Sequence, residues 1–164
     1  DRLRELGFAM VPIELPEFPT SSLSFLLDVE AAAAFDELTR SNKDDQLVRQ
    51  VKRAWPNVFR SARYVPAVEY VQANRARVLL NQKMSSLFEK IDVYLVPSFF
   101  GDNLLRTNLT GHPCIVLPNG FDDKGMPTSI SFIGDLYMDG ELVAVARSYQ
   151  KGTSWHKRYP PKFQ

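Results

Sequence analysis

His112 and Cys114 stand two residues apart in the run Gly111-His112-Pro113-Cys114, a spacing that puts both side chains on one face of an extended strand. A thiol beside an imidazole is a nucleophile and its base in principle. Pro113 intervenes, however, and Cys114 opens the apolar run Cys114-Ile115-Val116-Leu117, where a small buried hydrophobe is expected and buried thiols are inert. The adjacent serines, Ser21-Ser22 and Ser85-Ser86, lack the setting a hydroxyl nucleophile needs, which is a base within reach and pre-aimed donors for an oxyanion. Glycine-rich backbone normally supplies such donors, and the eight glycines here are scattered singly. Two carboxylate pairs, Asp44-Asp45 and Asp122-Asp123, fall in polar turns, so solvated turn chemistry is expected of them rather than acid–base work. His156 follows Trp155 with nothing to orient it as a base, and two histidines with one cysteine have no zinc-ligand spacing. Catalytic, cofactor-binding and metal-binding residues are therefore all expected to be absent from this chain.

Two further groups bear on ligands. Arg49, Lys52, Arg53, Arg60 and Arg63 form a loose basic cluster without an aromatic stacking platform, read as a solvated helix face rather than a nucleic-acid contact. Ser98-Phe99-Phe100 directly follows an apolar strand, and loops at strand C-terminal ends are where α/β sheets favour ligands. These three residues are the expected lining of a substrate pocket, set against the alternative that the rings pack between elements.

The elements that must position them change character along the chain. Leu3 and Leu6 with Arg2, Arg4 and Glu5 read as the last turns of a helix, with Gly7 at its C-terminal cap. So short a piece does not nucleate alone, and the helix is expected to start upstream. Phe8 to Val11 reads as a strand ended or placed at an edge by Pro12. After a loop in which Ser21 or Ser22 is a cap, one helix is expected from Leu23 to about Arg40, with Leu26, Leu27, Ala33, Ala34 and Leu38 facing inward. A second is expected over Asp45 to Trp55, stopping before Pro56. A third, opened by Pro66, should run from Ala67 to about Lys90 with Val68, Val71, Val78, Leu79, Leu87 and Phe88 on its apolar side.

From there the period becomes that of strands. Val93 to Val96 reads as a central strand of a buried sheet, and Cys114 to Leu117 and Thr128 to Ile133 as two more. The loop Pro118 to Pro127 would join these two as antiparallel neighbours. A last helix, Gly140 to Lys151, would be capped by Asp139 and turn Leu142, Val143, Val145 and Ala146 toward the core. The segments are thus helical over 20–91, strand-rich over 92–134, and closed by a helix over 139–151. With few strands and no self-contained βαβ layout, the chain is expected to be one part of a larger α/β domain with a mixed sheet.

In order and spacing, several segments resemble the amidase signature family. Asp92 with the strand to Pro97, Asn108-Leu109-Thr110-Gly111-His112-Pro113 with the strand to Pro118 and Gly120, and Gly125-Met126-Pro127 with the strand to Gly134 look like three successive elements of its C-terminal portion. Tyr149-Gln150, Thr153-Ser154-Trp155-His156, Trp55-Pro56-Asn57 and Val65-Pro66-Ala67-Val68-Glu69-Tyr70 extend the likeness over nearly all of residues 1–164. The resemblance implies an α/β/α sandwich and hydrolysis of carbon–nitrogen amide bonds by a serine, a second serine in a cis peptide and a lysine, without metal or cofactor. It implies no catalytic residue here, since the glycine- and serine-rich segment and the lysine have no match. The expected partners are a small-molecule amide and the missing N-terminal portion of the same enzyme. A non-catalytic component of a split enzyme, or a fragment of the amidase subunit of a transfer-RNA amidotransferase, are the other readings.

Bulk properties set the remaining bounds. A net charge of +1 gives no electrostatic case for nucleic acid or an anionic membrane, and no apolar run reaches a membrane span. The lone cysteine and the charged opening, without a signal sequence, point to a cytoplasmic setting.

Overall fold

The computed structural model describes residues 1–160. In chain order they form α1 (Arg2–Glu5), a 3-10 turn (Thr20–Leu23), α2 (Phe25–Ala34), α3 (Asp36–Arg40), a second 3-10 turn (Lys43–Gln46), α4 (Trp55–Ala62), α5 (Ala67–Phe88), β1 (Val93–Pro97), α6 (Asn103–Thr110), β2 (Cys114–Phe121), β3 (Pro127–Gly134), α7 (Asp139–Gly152) and a 3-10 turn over Trp155–Lys157. They group into two compact units, one of residues 18–80 and one of residues 1–17 with those from 81 onward.

The helical unit is built on α2 against α4. Ala32 and Ala62 are small and buried, letting the helices approach, and Phe59 fills the space beside them with Val29, Ala31 and Leu38 around it. Phe59 also stacks on Phe35 and Trp55, at centroid distances of 5.2 and 5.6 Å. Leu26 is fully buried and Leu38 half-buried as expected, whereas Leu27, Ala33 and Ala34 face out and Ala32 takes the inner position. The expected single helix is bent at Phe35 into α2 and α3, and neither Ser21 nor Ser22 caps it. Ser24 stands at the N-cap, without a side-chain bond.

The helix expected over Asp45 to Trp55 does not form. Gln50 Nε2 donates to the carbonyls of Asp44 and Leu47, and Asn57 Nδ2 to that of Lys52, so side chains satisfy backbone that a helix would have paired internally. Pro56 instead opens α4 at its first turn, where the missing N–H costs nothing. The basic cluster is consequently not a helix face. Arg49, Lys52 and Arg53 lie on an exposed loop, Arg60 pairs with Asp44 and Asp45, and Arg63 pairs with Asp36. Asp44 is not the solvated turn residue expected: it is 1% exposed, with Oδ2 2.6 Å from Arg60 Nη2 although no N–H is aligned on it.

Helix α5 begins after Pro66 and buries Phe88, both as expected, with Leu87 half-buried; its other buried positions are Ala73 and Leu80 in the helical unit and Met84, which like Phe88 belongs to the second. Val68, Val71, Val78 and Leu79, expected inward, are exposed.

The second unit holds a three-stranded antiparallel sheet in the order β1-β3-β2. Cα partners run from Val93↔Gly134 to Pro97↔Ile130 on one side of β3 and from Cys114↔Ile133 to Phe121↔Pro127 on the other, with an irregularity at Pro118/Gly120. The β2–β3 hairpin turns over Asp122–Met126, where Asp122 Oδ1 accepts the N–H groups of Lys124 and Met126. Strand β1 is therefore an edge of this sheet rather than a centre. One face presents Leu95, Ile115, Leu117, Ile130 and Phe132 to Leu3 of α1 and to Leu142 and Tyr149 of α7. Phe132 is fully buried there, worth roughly 2–3 kcal/mol by transfer. In α7, Leu142 and Ala146 are buried as expected, Val145 packs at the core's margin and Val143 is exposed. Met138 rather than Asp139 is the N-cap.

Residues Asp1 to Phe8 close α1 in the way expected of Gly7. Gly7 is left-handed (φ +89°), Gly7 N–H donates to Arg4 O, and Phe8 N–H reaches back to Leu3 O. Phe8 then packs on the cluster containing Leu3, completing a Schellman motif. Phe8 to Val11 forms no ladder, so the expected strand is absent among the described residues.

Candidate functional site

At the C-terminal end of β1 the chain turns sharply into α6. Ser98 N–H still donates to Ser129 O on β3, and Ser98 Oγ lies 3.0 Å from Ser131 Oγ. Phe99 then adopts a left-handed conformation (φ +64°) that a bulky residue rarely takes, and its ring is 83% exposed. Phe100 N–H closes the turn onto Pro97 O, with its ring also exposed. The three expected pocket residues thus share one turn. Ser98 points back to the sheet, and the two rings face solvent instead of packing between elements.

Behind this turn, on the sheet face opposite α7, lies a band of buried polar groups that no sequence motif singles out. Tyr94 O–H donates to Asn103 Oδ1 at 2.8 Å. Burial raises the Tyr94 phenol well above its ordinary value, with the Arg106 guanidinium opposing. Arg106, 5% exposed, donates to Pro16 O at 2.8 Å and reaches Asp102 Oδ1 at 3.4 Å, while its Nε has no partner among the described residues. Such a residue inside the amphipathic segment Asn103 to Thr110 is readable from sequence only as one more polar position on a short helix.

His112 belongs to the same band. Its Nδ1 lies 2.8 Å from Thr110 Oγ1, its ring stacks on Phe88 at 5.0 Å, and Nε2 is 3.7 Å from Asp135 Oδ1, beyond hydrogen-bond reach. Burial lowers its pKa below the ordinary value, partly offset by Asp135. Cys114, expected as a buried hydrophobe, is exposed. Desolvation raises its thiol pKa and a hydrogen bond with Ser131 works the other way, so it is a poor thiolate. His112 is engaged by Thr110 and Phe88, and no hydrogen bond or ion pair joins it to Cys114. His156 sits exposed in the last 3-10 turn. Among the described residues no group of three His, Cys, Asp or Glu side chains is placed to hold a metal, and no helix is long and apolar enough to cross a membrane.

No family model matches the sequence. Among curated proteins, a glutamyl-tRNA(Gln) amidotransferase subunit from Rippkaea orientalis is 30% identical over 120 residues, covering 62% of this chain and 25% of the relative. The corresponding subunit from Picosynechococcus sp. is 28% identical over 200 residues, covering 97% of this chain and 41% of the relative. Among solved structures, a bacterial aryl acylamidase belonging to the amidase signature enzymes superposes with a TM-score of 0.68 at 16% identity, over 90% of this chain and 36% of that one. That likeness establishes a shared fold, and the chain spans between a quarter and two fifths of the length of these relatives.

Proposed function

We propose that this chain, a member of the amidase signature family, is the C-terminal portion of a hydrolase that cleaves carboxamide carbon–nitrogen bonds. Its two compact units would belong to one amidase domain, completing the sheet and covering it with helices. The serine nucleophile, the cis serine and the lysine base would lie in the portion not contained here, and no cofactor would take part. Ser98, Phe99 and Phe100 would line the acyl pocket. The observation that carries this reading is the turn itself: an exposed, left-handed Phe99 directly after β1 is the kind of strained position that recurs at ligand sites. A reducing, cytoplasmic setting fits the lone exposed thiol.

The test compares the isolated chain with the longest polypeptide its gene encodes, on aliphatic and aryl amides. The isolated chain should be inert and the long form active, with kcat/KM reduced about ten-fold or more by Phe100→Ala. Turnover by homogeneous isolated chain, abolished by Cys114→Ala, would replace this reading with thiol chemistry. The first relatives favour one narrower version, the amidase subunit of a transfer-RNA amidotransferase. It requires salt-dependent binding of transfer RNA by the long form with its partner subunits, and failure to bind at low salt removes it.

A further inference from the structure

The turn that carries Ser98, Phe99 and Phe100 is tied down at both ends. At its start, Ser98 N–H donates to Ser129 O at 3.2 Å and Ser98 Oγ lies 3.0 Å from Ser131 Oγ, which fixes the residue to β3. At its end stands Asn103, the first residue of α6. Its backbone N–H donates to Phe100 O, and its side-chain Oδ1 accepts the Tyr94 O–H at 2.8 Å. Tyr94 lies on β1, so this last bond joins the two elements that the turn connects. Both partners are nearly inaccessible, Tyr94 at 2% and Asn103 at 5% exposure.

Between the two ties the backbone is unfavourable. Phe99 (φ +64°) and Gly101 (φ +52°) are both left-handed, a well that glycine enters freely and phenylalanine does not. Packing does not hold Phe99 there, since its ring and that of Phe100 both stand in solvent. A strained position persists only where its surroundings over-determine it, and here those surroundings are the hydrogen bonds at the two ends. The Tyr94–Asn103 bond is also more than burial requires. An apolar pair of the same shape would fill this space without desolvating a phenol and an amide. Burial lifts the Tyr94 phenol well above its ordinary value, so the hydroxyl remains a donor at neutral pH.

We propose that the Tyr94 hydroxyl and the Asn103 side chain are positioning groups, a clamp that holds this turn in its left-handed form and so sets the rings of Phe99 and Phe100 to receive an aryl acyl group. Neither clamp residue touches substrate. Between Ser98 and Asp102 the turn offers a ligand only the two rings, because Gly101 has no side chain. Paired ring faces favour an aromatic acyl group over a short aliphatic one. The inference rests on the amidase reading, and it adds the residues that shape this edge of the pocket and the acyl class they select.

Urea unfolding of this chain tests the clamp, and kinetics of the longest polypeptide its gene encodes test what the clamp does. Tyr94→Phe deletes one oxygen and keeps the ring beside Phe88, 5.8 Å away between centroids. Without the clamp the turn relaxes and the strain at Phe99 is released. Phe99→Asn should therefore raise the urea midpoint less than half as far in the Tyr94→Phe background as in the parent. A hydroxyl that merely filled its site would leave the two changes additive, and additivity overturns the clamp. NMR couplings should report a positive φ at residue 99 in the parent and averaging toward negative φ in Tyr94→Phe; a φ that stays positive overturns it equally. In the long form, Tyr94→Phe should lower the benzamide-to-acetamide ratio of kcat/KM about five-fold, through KM for benzamide, with kcat changed by less than about two-fold. Equal losses on both amides through kcat alone would show damaged folding and overturn the positioning role. A long form inert toward both amides removes the amidase reading and the acyl role together, while the coupling measured on this chain still decides the clamp.

Discussion

Two single residues carry sharp expectations. Phe99 occupies a left-handed backbone well with its ring in solvent, so it incurs strain without the packing that would offset it. Asparagine tolerates that well better, and Phe99→Asn should raise the stability of the isolated chain by up to about 1 kcal/mol, read as a higher urea midpoint at constant slope. A drop would mean that the ring is packed in solution. His112 makes the opposite kind of prediction. Its folded-state pKa is depressed below the ordinary value near 6.5, so protonation favours the unfolded chain. The stability it supports is complete above about pH 6.5 and is lost as pH falls through that value toward the lower folded pKa. His112→Gln should flatten the thermal midpoint between about pH 7 and 5.5, and an unchanged slope there would assign the acid sensitivity to other groups. Neither Arg106 nor the surroundings of His112 are legible in the sequence, because which polar residue is buried depends on what packs over it, and Phe88 and Pro16 come from elsewhere in the chain.

Elements are legible where local chemistry decides them. The Gly7 cap, the Pro66 start of α5, the three strands and the β2–β3 hairpin all follow from glycine, proline and alternation. Gly7→Ala should cost about 1–2 kcal/mol, although no atom lies within 4 Å of the added Cβ, because the penalty is in the backbone alone. Equal thermal midpoints for the two proteins would show that α1 does not contribute to the fold. Sequence misleads where tertiary partners decide. Pro56 reads as a stop because the basic stretch before it looks helical, and only the Gln50 and Asn57 side chains binding the intervening carbonyls reverse that order. Counting valines and leucines picks the wrong side of α5 from Val68 to Leu79, since the helix is apolar on more than one side there and periodicity alone does not choose between them.

For the whole molecule that second apolar side has a practical meaning. Val68, Val71, Val78 and Leu79 stand in solvent along α5, and isolated chains should self-associate through such surface. The double variant Val71→Glu, Val78→Lys should lower light scattering at high concentration without lowering the thermal midpoint, since both new residues are better helix formers. A fall of several degrees would show those valines packed within the monomer. The strand order has a separate consequence for how the chain is made. The hairpin β2–β3 closes a turn of a few residues, whereas β1 reaches its partner only across residues 98–129, roughly 1.6 kcal/mol more in closure entropy for the longer loop. At about 5–20 residues per second of synthesis, β1 leaves the ribosome roughly 2–6 seconds before the strand it needs. During that interval both of its edges are open, which makes Val93 to Val96 the segment of the nascent chain most in need of a chaperone.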